Sequence, residues 1–175
     1  MSGSQAYLYR MPSGVPGEVT RGWGNSIIEA QIVTPTTFNS GASSPTAYGV
    51  PMNVDNTAGN IGNMRTVAVG DTAIYGVLVR PYPTGASQDP LGTSTPPANG
   101  PCDILKSGYM TVLLSLGSIA CVKGGQVYVW VAATSGSHVQ GGFEAASSGS
   151  TISYTGAYFM GPADASNNVE IAVSP

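Results

Sequence analysis

Charged side chains are scarce in this sequence. Asp, Glu, Lys and Arg make up only 9% of its 175 residues, whereas they make up about 25% of an average soluble protein. The surface must therefore be built from Ser, Thr, Asn, Gln and Gly. Six basic residues and a net charge of −3 provide no patch that could neutralise a row of phosphates, the main source of nucleic-acid affinity. We therefore expect no nucleic acid among the partners.

Residues that carry catalysis or bind metals are equally few. The single histidine, His138, lies in a segment rich in Gly and Ser, whereas a serine or cysteine nucleophile needs a nearby base. Cys102 and Cys121 show neither CxxC nor Cys/His spacing, and a zinc site needs three or four closely spaced ligands. No Gly-Lys-Ser/Thr follows the glycine-rich stretches, so a phosphate loop is not indicated. We expect no enzyme, no metal and no cofactor.

The remaining candidates for chemistry are three glutamates and the two thiols. Glu29, Glu144 and Glu170 lie among apolar or small residues, and a carboxylate pair from distant strands can cleave glycosides. We interpret each glutamate as part of the polar face of a strand. The cysteines are interpreted as buried or partly buried free thiols in a reducing compartment, with a disulfide as the alternative.

Long apolar segments are also missing. The N-terminus lacks the positive region and the apolar region of a signal peptide, so we expect no secretion. The longest apolar run, residues 112–122, is interrupted by Ser115, Gly117 and Ser118 and is shorter than the roughly 20 residues that span a bilayer. We expect no membrane partner.

Glycine and proline, by contrast, are abundant, with 24 and 13 copies. They interrupt the chain too often for long helices, and the apolar runs between them alternate with period two. The predicted fold is all-β, a single β-sandwich, jelly roll or small β-barrel. The expected strands lie at residues 27–34, 47–54, 66–69, 72–80, 106–112, 119–123, 126–132, 156–161 and 169–173. Pro51 within the second of them indicates an edge strand or a bulge. Gly76 within the fourth indicates a bulge or another backbone passing close by.

The sequence of two of these strands predicts which of their faces are buried. In the first, Ile28, Ala30 and Ile32 alternate with more polar neighbours, so we expect them to form its buried face. Residues 126–132 are apolar on both faces, and Gly124-Gly125 before them predicts a hairpin with residues 119–123. We expect the valines of this strand in the core and Tyr128 and Trp130 near a partner or a second layer, unless all are ordinary core.

The chain is predicted to consist of an N-terminal arm, residues 1–25, and a β domain, residues 26–175, with a long proline-rich loop at 85–101. Such a loop is usually a binding segment or a mobile one. The arm contains apolar residues among prolines and glycines, although a disordered terminus is the alternative. The candidate interface residues are Tyr7, Tyr9, Arg10, Arg21, Trp23, Leu91, Tyr128 and Trp130.

Two classes of function fit these features. One is a structural subunit that packs into an assembly through arms and apolar strands, since a surface covered by neighbours needs little charge. The other is a carbohydrate-binding β-sandwich that stacks a sugar on Trp23, Trp130 or a tyrosine.

Several strand and turn segments resemble the structural cement, or head decoration, proteins of tailed bacteriophages. These segments are Ala-Ile-Tyr-Gly-Val-Leu-Val-Arg-Pro-Tyr-Pro at 73–83, Gly-Glu-Val-Thr-Arg at 17–21, Ala-Tyr-Gly-Val-Pro-Met at 47–52, Lys-Ser-Gly-Tyr-Met-Thr-Val at 106–112 and Gly-Gly-Gln-Val-Tyr-Val at 124–129. The resemblance implies an all-β, non-enzymatic subunit that forms a dimer or trimer on the outer surface of the virion. Such a subunit clamps neighbouring major capsid proteins after assembly in the host cytoplasm. A phage tail or fibre component is the alternative.

Overall fold

The computed structural model describes residues 14–21, 26–33, 43–81, 95–96, 98–115 and 121–174. All the regular secondary structure in these segments is β, which confirms the predicted all-β class. The nine strands are β1 (Ile27–Val33), β2 (Pro51–Val54), β3 (Met64–Thr66), β4 (Gly76–Leu78), β5 (Gly100–Leu113), β6 (Gln126–Trp130), β7 (Phe143–Glu144), β8 (Thr151–Phe159) and β9 (Asn168–Val173). In the same segments, no helix is long and apolar enough to cross a membrane.

Strand β5, 14 residues long, belongs to two sheets. Its first half pairs with β1 and β4, and its second half, from Gly108, pairs with β9. Gly108 has a φ of 134°, and a Cβ there would lie 2.8 Å from the Ser26 hydroxyl oxygen. A glycine is therefore required where the strand changes partners.

The first sheet closes into a small barrel in the order β1–β3–β2–β4–β5 and back to β1. All its pairings are antiparallel except a single parallel bridge between Val33 and Met64, which closes the ring. The prediction of a small barrel is thus confirmed. Its buried core consists of Val33, Tyr48, Met52, Met64, Leu78 and Ile104.

The second sheet runs β5–β9–β8–β6–β7. Leu114, just after β5, makes a parallel bridge to Phe143 of β7, so the last strand of the sheet returns to the first and the second sheet closes into a second barrel. Its core holds buried aromatic and aliphatic side chains from all five strands, among them Val112, Val127, Val129, Phe143, Tyr154, Phe159 and Ile171. Val77 and Leu105 on the outside of the small barrel belong to this same core, and they join the two units.

The observed pairings differ from two predictions. Pro51 was expected on an edge strand or at a bulge, yet β2 pairs on both sides. The proline fits because it is the first residue of the strand, and the pairing with β3 begins only at Met52. The turn at Gly124 is present, with the Gly125 N–H donating to the Val122 carbonyl. However, β6 pairs with β7 and β8, and residues 119–120 of the expected hairpin arm lie outside the described residues.

Candidate interaction surfaces

The outer face of β1 is apolar and uncovered. Ile28 is 44% exposed and Ile32 is 55% exposed, and Ala30 between them is exposed as well. The prediction that these three residues form the buried face of the strand is therefore wrong. It is the opposite face of β1, ending in the fully buried Val33, that points into the small barrel.

Polar side chains can occupy the inner face of β1 because they find partners there. The Tyr75 hydroxyl donates to Glu29 at 2.5 Å and the Gln31 amide donates to it at 3.4 Å. The ammonium group of Lys106 lies 3.4 Å from the centre of the Tyr75 ring and donates to the Tyr75 carbonyl. The hydrogen bond to Glu29 raises the pKa of Tyr75, whereas burial lowers the pKa of Lys106. These hydrogen bonds offset the cost of placing the Glu29 carboxylate on the inner face of β1. Because side chains alternate along a strand, Ile28 and Ile32 then lie on the outer face.

One backbone edge of β1 has few strand partners among the residues that the structure describes. Along one side, residues 27–33 pair continuously with β5. On the other side, the only strand partner in the described part of the chain is Met64, which bridges to Val33. Residues 27–32 therefore combine an open hydrogen-bonding edge with an apolar outer face, two features that favour strand addition.

A row of tyrosines crosses the outer face of the second sheet. Tyr109 of β5 lies opposite Ala172 of β9, which in turn lies opposite Tyr158 of β8. Tyr158 is 40% exposed. Tyr128 of β6 lies opposite Ser153 on the same sheet and is partly buried. This face is mixed in polarity rather than apolar.

Residues 14–21 pack on their own chain beside this row. Val19 forms an antiparallel bridge to Met110 of β5, next to a backbone hydrogen bond from the Gly17 N–H to the Thr111 carbonyl. At the end of the segment, Arg21 forms an ion pair with Glu170. This part of the predicted arm therefore extends the β5 surface.

The predicted interface residue Arg21 already has two contacts in its own chain. Its guanidinium lies 2.7 Å from the Glu170 carboxylate and 4.5 Å from the centre of the Tyr109 ring. The hydrogen bond to Glu170 raises the pKa of Arg21. Because 53% of its side chain is exposed, the residue also remains accessible from outside.

Trp130, another predicted interface residue, is covered by a side chain of the same molecule. It is 8% exposed, and the His138 ring stacks on it with 4.1 Å between ring centroids. The His138 Nδ1 atom lies 2.8 Å from Oε1 of the buried Glu144, which also accepts a hydrogen bond from the Ser115 hydroxyl. Sequence reasoning did not predict this cluster, because it interpreted His138 as a loop residue and no motif links the four positions.

The cluster is not a hydrolytic triad. In a triad, the serine hydroxyl faces the histidine, which takes its proton. Here the Ser115 hydroxyl donates to the Phe143 carbonyl and to Glu144, and His138 approaches the same carboxylate oxygen. The geometry fixes the loop over Trp130 rather than activating a nucleophile.

A groove of about 630 Å³ lies where residues of the small barrel meet residues of the second sheet. Tyr48 and Val50 line one side, and Leu113, Val139 and Phe143 line the other. Among the described lining residues, the only charged side chain is Arg80, whose guanidinium lies 4.8 Å from the Tyr48 ring centre. The groove fits apolar groups and offers no acid–base pair.

The cysteines are free, as predicted. Cys121 is buried and its sulfur accepts a hydrogen bond from the Ala163 N–H, whereas Cys102 is partly buried. Burial raises the pKa of Cys102 to about 11, so it carries little thiolate at neutral pH. Within the described segments, no three His, Cys, Asp or Glu side chains lie close enough together to hold a metal ion.

Comparison with known proteins identifies the family. The model of the family described as XM1 gp53 minor capsid protein matches residues 4–173 of this chain. The chain belongs to this family. The relation to capsid-associated proteins of tailed phages that the sequence predicted is thereby confirmed.

A chain in a solved structure has the same fold as this member of the minor capsid protein family. The chain matches a chain from "The capsid of Myoviridae Phage XM1" with a TM-score of 0.64 and 16% sequence identity, over 99% of this chain and 98% of that chain. At 16% sequence identity, this match supports a common fold and nothing further. The comparison with curated proteins gave no match.

The predicted interface residues fall into two groups. Arg21, Tyr128 and Trp130 lie on or beneath the outer face of the second sheet, and the structure does not bring them together with the β1 surface. The other five predicted residues lie outside the described residues; they are Tyr7, Tyr9, Arg10, Trp23 and Leu91. The isoleucine face of β1 was not among the predicted interface residues.

Proposed function

We propose that this minor capsid protein family member is a structural cement protein. It binds the outer surface of the capsid and holds neighbouring major capsid subunits together. The observation that carries the proposal is the uncovered apolar face of β1, with Ile28 and Ile32 each about half exposed, in a chain with only 9% charged residues. Such a face fits a protein whose surface is covered by neighbours in an assembly.

Its action is by binding alone. Arg80 is the single charged side chain among the described residues that line the groove, and the Ser115–Glu144–His138 contacts lack the order that catalysis requires. A protein that binds the mature shell better than other shell states stabilises that shell by mass action. Many copies on one particle also turn each weak contact into an effectively intramolecular one.

We assign the contacts to the capsid to residues 1–13 and 22–25 and to residues 85–99, the part of the predicted loop that precedes β5. These segments carry Tyr7, Tyr9, Arg10, Trp23 and Leu91. Residues 14–21 lie against β5, so they act as the root of the arm rather than as its free part. The proposal includes a homo-oligomer on the virion surface and no role for nucleic acid.

The glycan-binding alternative is weaker. A sugar stacks on an exposed aromatic ring, and Trp130 is covered by His138 and only 8% exposed.

The proposal is tested by cosedimentation of the purified chain with expanded, undecorated capsids. We expect saturable binding and a higher thermal stability of the shell. A variant lacking residues 1–13 should unfold like the full chain, because residues 14–21 keep their place on β5, but should no longer saturate the capsid. Ile61→Ser, at a position that is 75% exposed in the loop between β2 and β3, is the matched control and should bind normally. Absence of saturable binding of the full chain to any capsid state would overturn the proposal.

A further inference from the structure

We propose that β1 pairs edge to edge with β1 of a second copy of this chain, antiparallel and with a two-fold axis at Ala30. This inference rests on the proposed function, because it specifies the homo-oligomer that the cement role includes. The surface consists of Ile28, Ala30 and Ile32 together with the open backbone edge beside them.

The sequence of β1 is nearly symmetric about Ala30. It reads Ile-Ile-Glu-Ala-Gln-Ile-Val from 27 to 33, so each class of side chain recurs at the same distance on both sides of the alanine. A two-fold interface uses the same patch on both copies and must therefore complement itself. In an antiparallel pair centred on Ala30, Ile28 lies opposite Ile32 of the second copy, and the small alanines meet at the axis.

Charge fixes this register. With the axis at Ala30, Glu29 lies opposite Gln31 of the second copy, whose amide can donate to the carboxylate. An axis at Glu29 would place two carboxylates directly opposite each other, which is destabilising. A register shift of one residue between the two strands, which moves the axis to a point midway between residues, would place the apolar face of one strand beside the polar face of the other.

The open edge supplies the backbone hydrogen bonds. In the described part of the chain, β1 has no strand partner on this side before the Val33–Met64 bridge. That bridge limits the ladder to residues 28–32 of each copy. Unpaired strand edges with apolar faces are templates for the addition of another strand, and here the added strand carries a matching face.

The charged residue that lies opposite the axis on β5 does not oppose the pairing. Asp103 of β5 lies opposite Ala30 and is partly buried. In the paired form, the two Asp103 residues are separated by three strand spacings, roughly 14 Å. This distance exceeds the Debye length of about 8 Å at physiological salt, so their repulsion is largely screened.

Cysteine cross-linking tests the register. Opposed residues of an antiparallel pair have Cα atoms about 4.5–5.5 Å apart, which is within the range of a disulfide. We therefore expect Ala30→Cys to form a covalent dimer on mild oxidation. The unsubstituted chain, with Cys102 and Cys121, gives the baseline. Val122→Cys, at a position 60% exposed in a turn outside β1, is the matched control and should remain mostly uncross-linked.

Lysine substitutions on the apolar face of β1 test this surface, with the mass of the protein in solution as the readout. The unsubstituted chain is expected to be a dimer by light scattering, and the double variant Ile28→Lys/Ile32→Lys should dissociate at least about tenfold more readily, since a tenfold change needs only about 1.4 kcal/mol. Both positions are exposed in the single chain, so its fold should persist. Ile61→Lys is the control and should remain a dimer.

Two results would overturn the inference. One is an unsubstituted chain that stays monomeric at every concentration, and the other is an oligomer that neither cross-links through Ala30→Cys nor dissociates with the lysines. Capsid cosedimentation of the same proteins separates this failure from that of the proposed function. A monomer that saturates capsids contradicts only the dimer, whereas a dimer that binds no capsid contradicts only the cement role.

Discussion

The two halves of β5 support two very different barrels. The second barrel encloses a large core with Phe143, Tyr154 and Phe159, and residues 14–21 cover part of its outer face. The small barrel has a short core that includes Met52 and Met64, and one of its strands leaves an apolar face uncovered. The chain therefore buries most of its large apolar side chains in one barrel and leaves an apolar strand face exposed on the other.

The largest expected effect is in the second barrel. Phe143→Ala removes a ring that is 1% exposed, and such truncations cost about 3–5 kcal/mol because the core collapses only in part. We expect the variant to unfold at a much lower urea concentration than the unsubstituted chain.

Met52→Ala provides the counterpart in the small barrel. Its side chain is fully buried, so a loss of about 2–5 kcal/mol is expected. Because both barrels use β5, each variant should shift one common transition. Two separate transitions would show that the barrels unfold independently and would contradict this view of β5.

An intermediate effect is expected at the loop that links β3 to β4. Asp71 forms an ion pair with Arg65 at 2.8 Å and accepts a hydrogen bond from the Ala68 N–H. Burial by itself would raise the pKa of Asp71, but the hydrogen bonds from Arg65 and Ala68 outweigh it and hold the pKa below its ordinary value. The carboxylate thus contributes stability that is present above about pH 4, the ordinary range for Asp.

This stability is lost as the pH falls through the lowered pKa in the folded state. Asp71→Asn should cost about 1.5–3 kcal/mol at neutral pH, the range in which hydrogen bonds to charged groups contribute. It should also flatten the loss of stability below about pH 4. Urea unfolding across this pH range measures both effects. If the variant loses free energy of unfolding below about pH 4 as steeply as the unsubstituted chain, Asp71 is not the group that causes this loss.

The smallest effect is expected on the uncovered face. Ile32→Ser changes a side chain that is 55% exposed and should alter the free energy of unfolding by less than about 0.5 kcal/mol. The free energy of unfolding is measured in dilute solution, so that association between copies of the chain does not contribute. A loss comparable to that of Met52→Ala would mean that this face is buried in the single chain.

Most of the strands could be predicted from the sequence, because alternation and turn residues are local signals. Residues 27–34 were expected as a strand and β1 is Ile27–Val33; residues 169–173 were expected and β9 is Asn168–Val173. Gly76 was predicted to mark a close approach of another backbone. A Cβ there would lie 2.7 Å from the Leu105 carbonyl oxygen, which confirms it.

The orientation of β1 could not be predicted in the same way. Alternation defines two faces of a strand but does not say which one turns inward. Counting apolar residues chose the isoleucine face, whereas Glu29 faces inward because the Tyr75 hydroxyl, 46 residues away in sequence, donates to it. A partner that distant leaves no signal in a single sequence.

The start of β5 was missed for a related reason. Residues 85–101 were predicted as a loop because of their prolines, yet β5 begins at Gly100 and includes Pro101. The change of partner at Gly108 and the cluster of Trp130, His138 and Glu144 also depend on contacts between distant segments.

The shared strand has a mechanical consequence. A strand of 14 residues is roughly 46 Å long, and each half is bonded into a different barrel. Hydrogen bonds in antiparallel ladders run perpendicular to the strands, so tension along β5 loads many of them at once in shear. A force that pulls the two barrels apart along this direction must break all the hydrogen bonds of at least one half of β5 collectively, whereas a peeling force would open them one bond at a time.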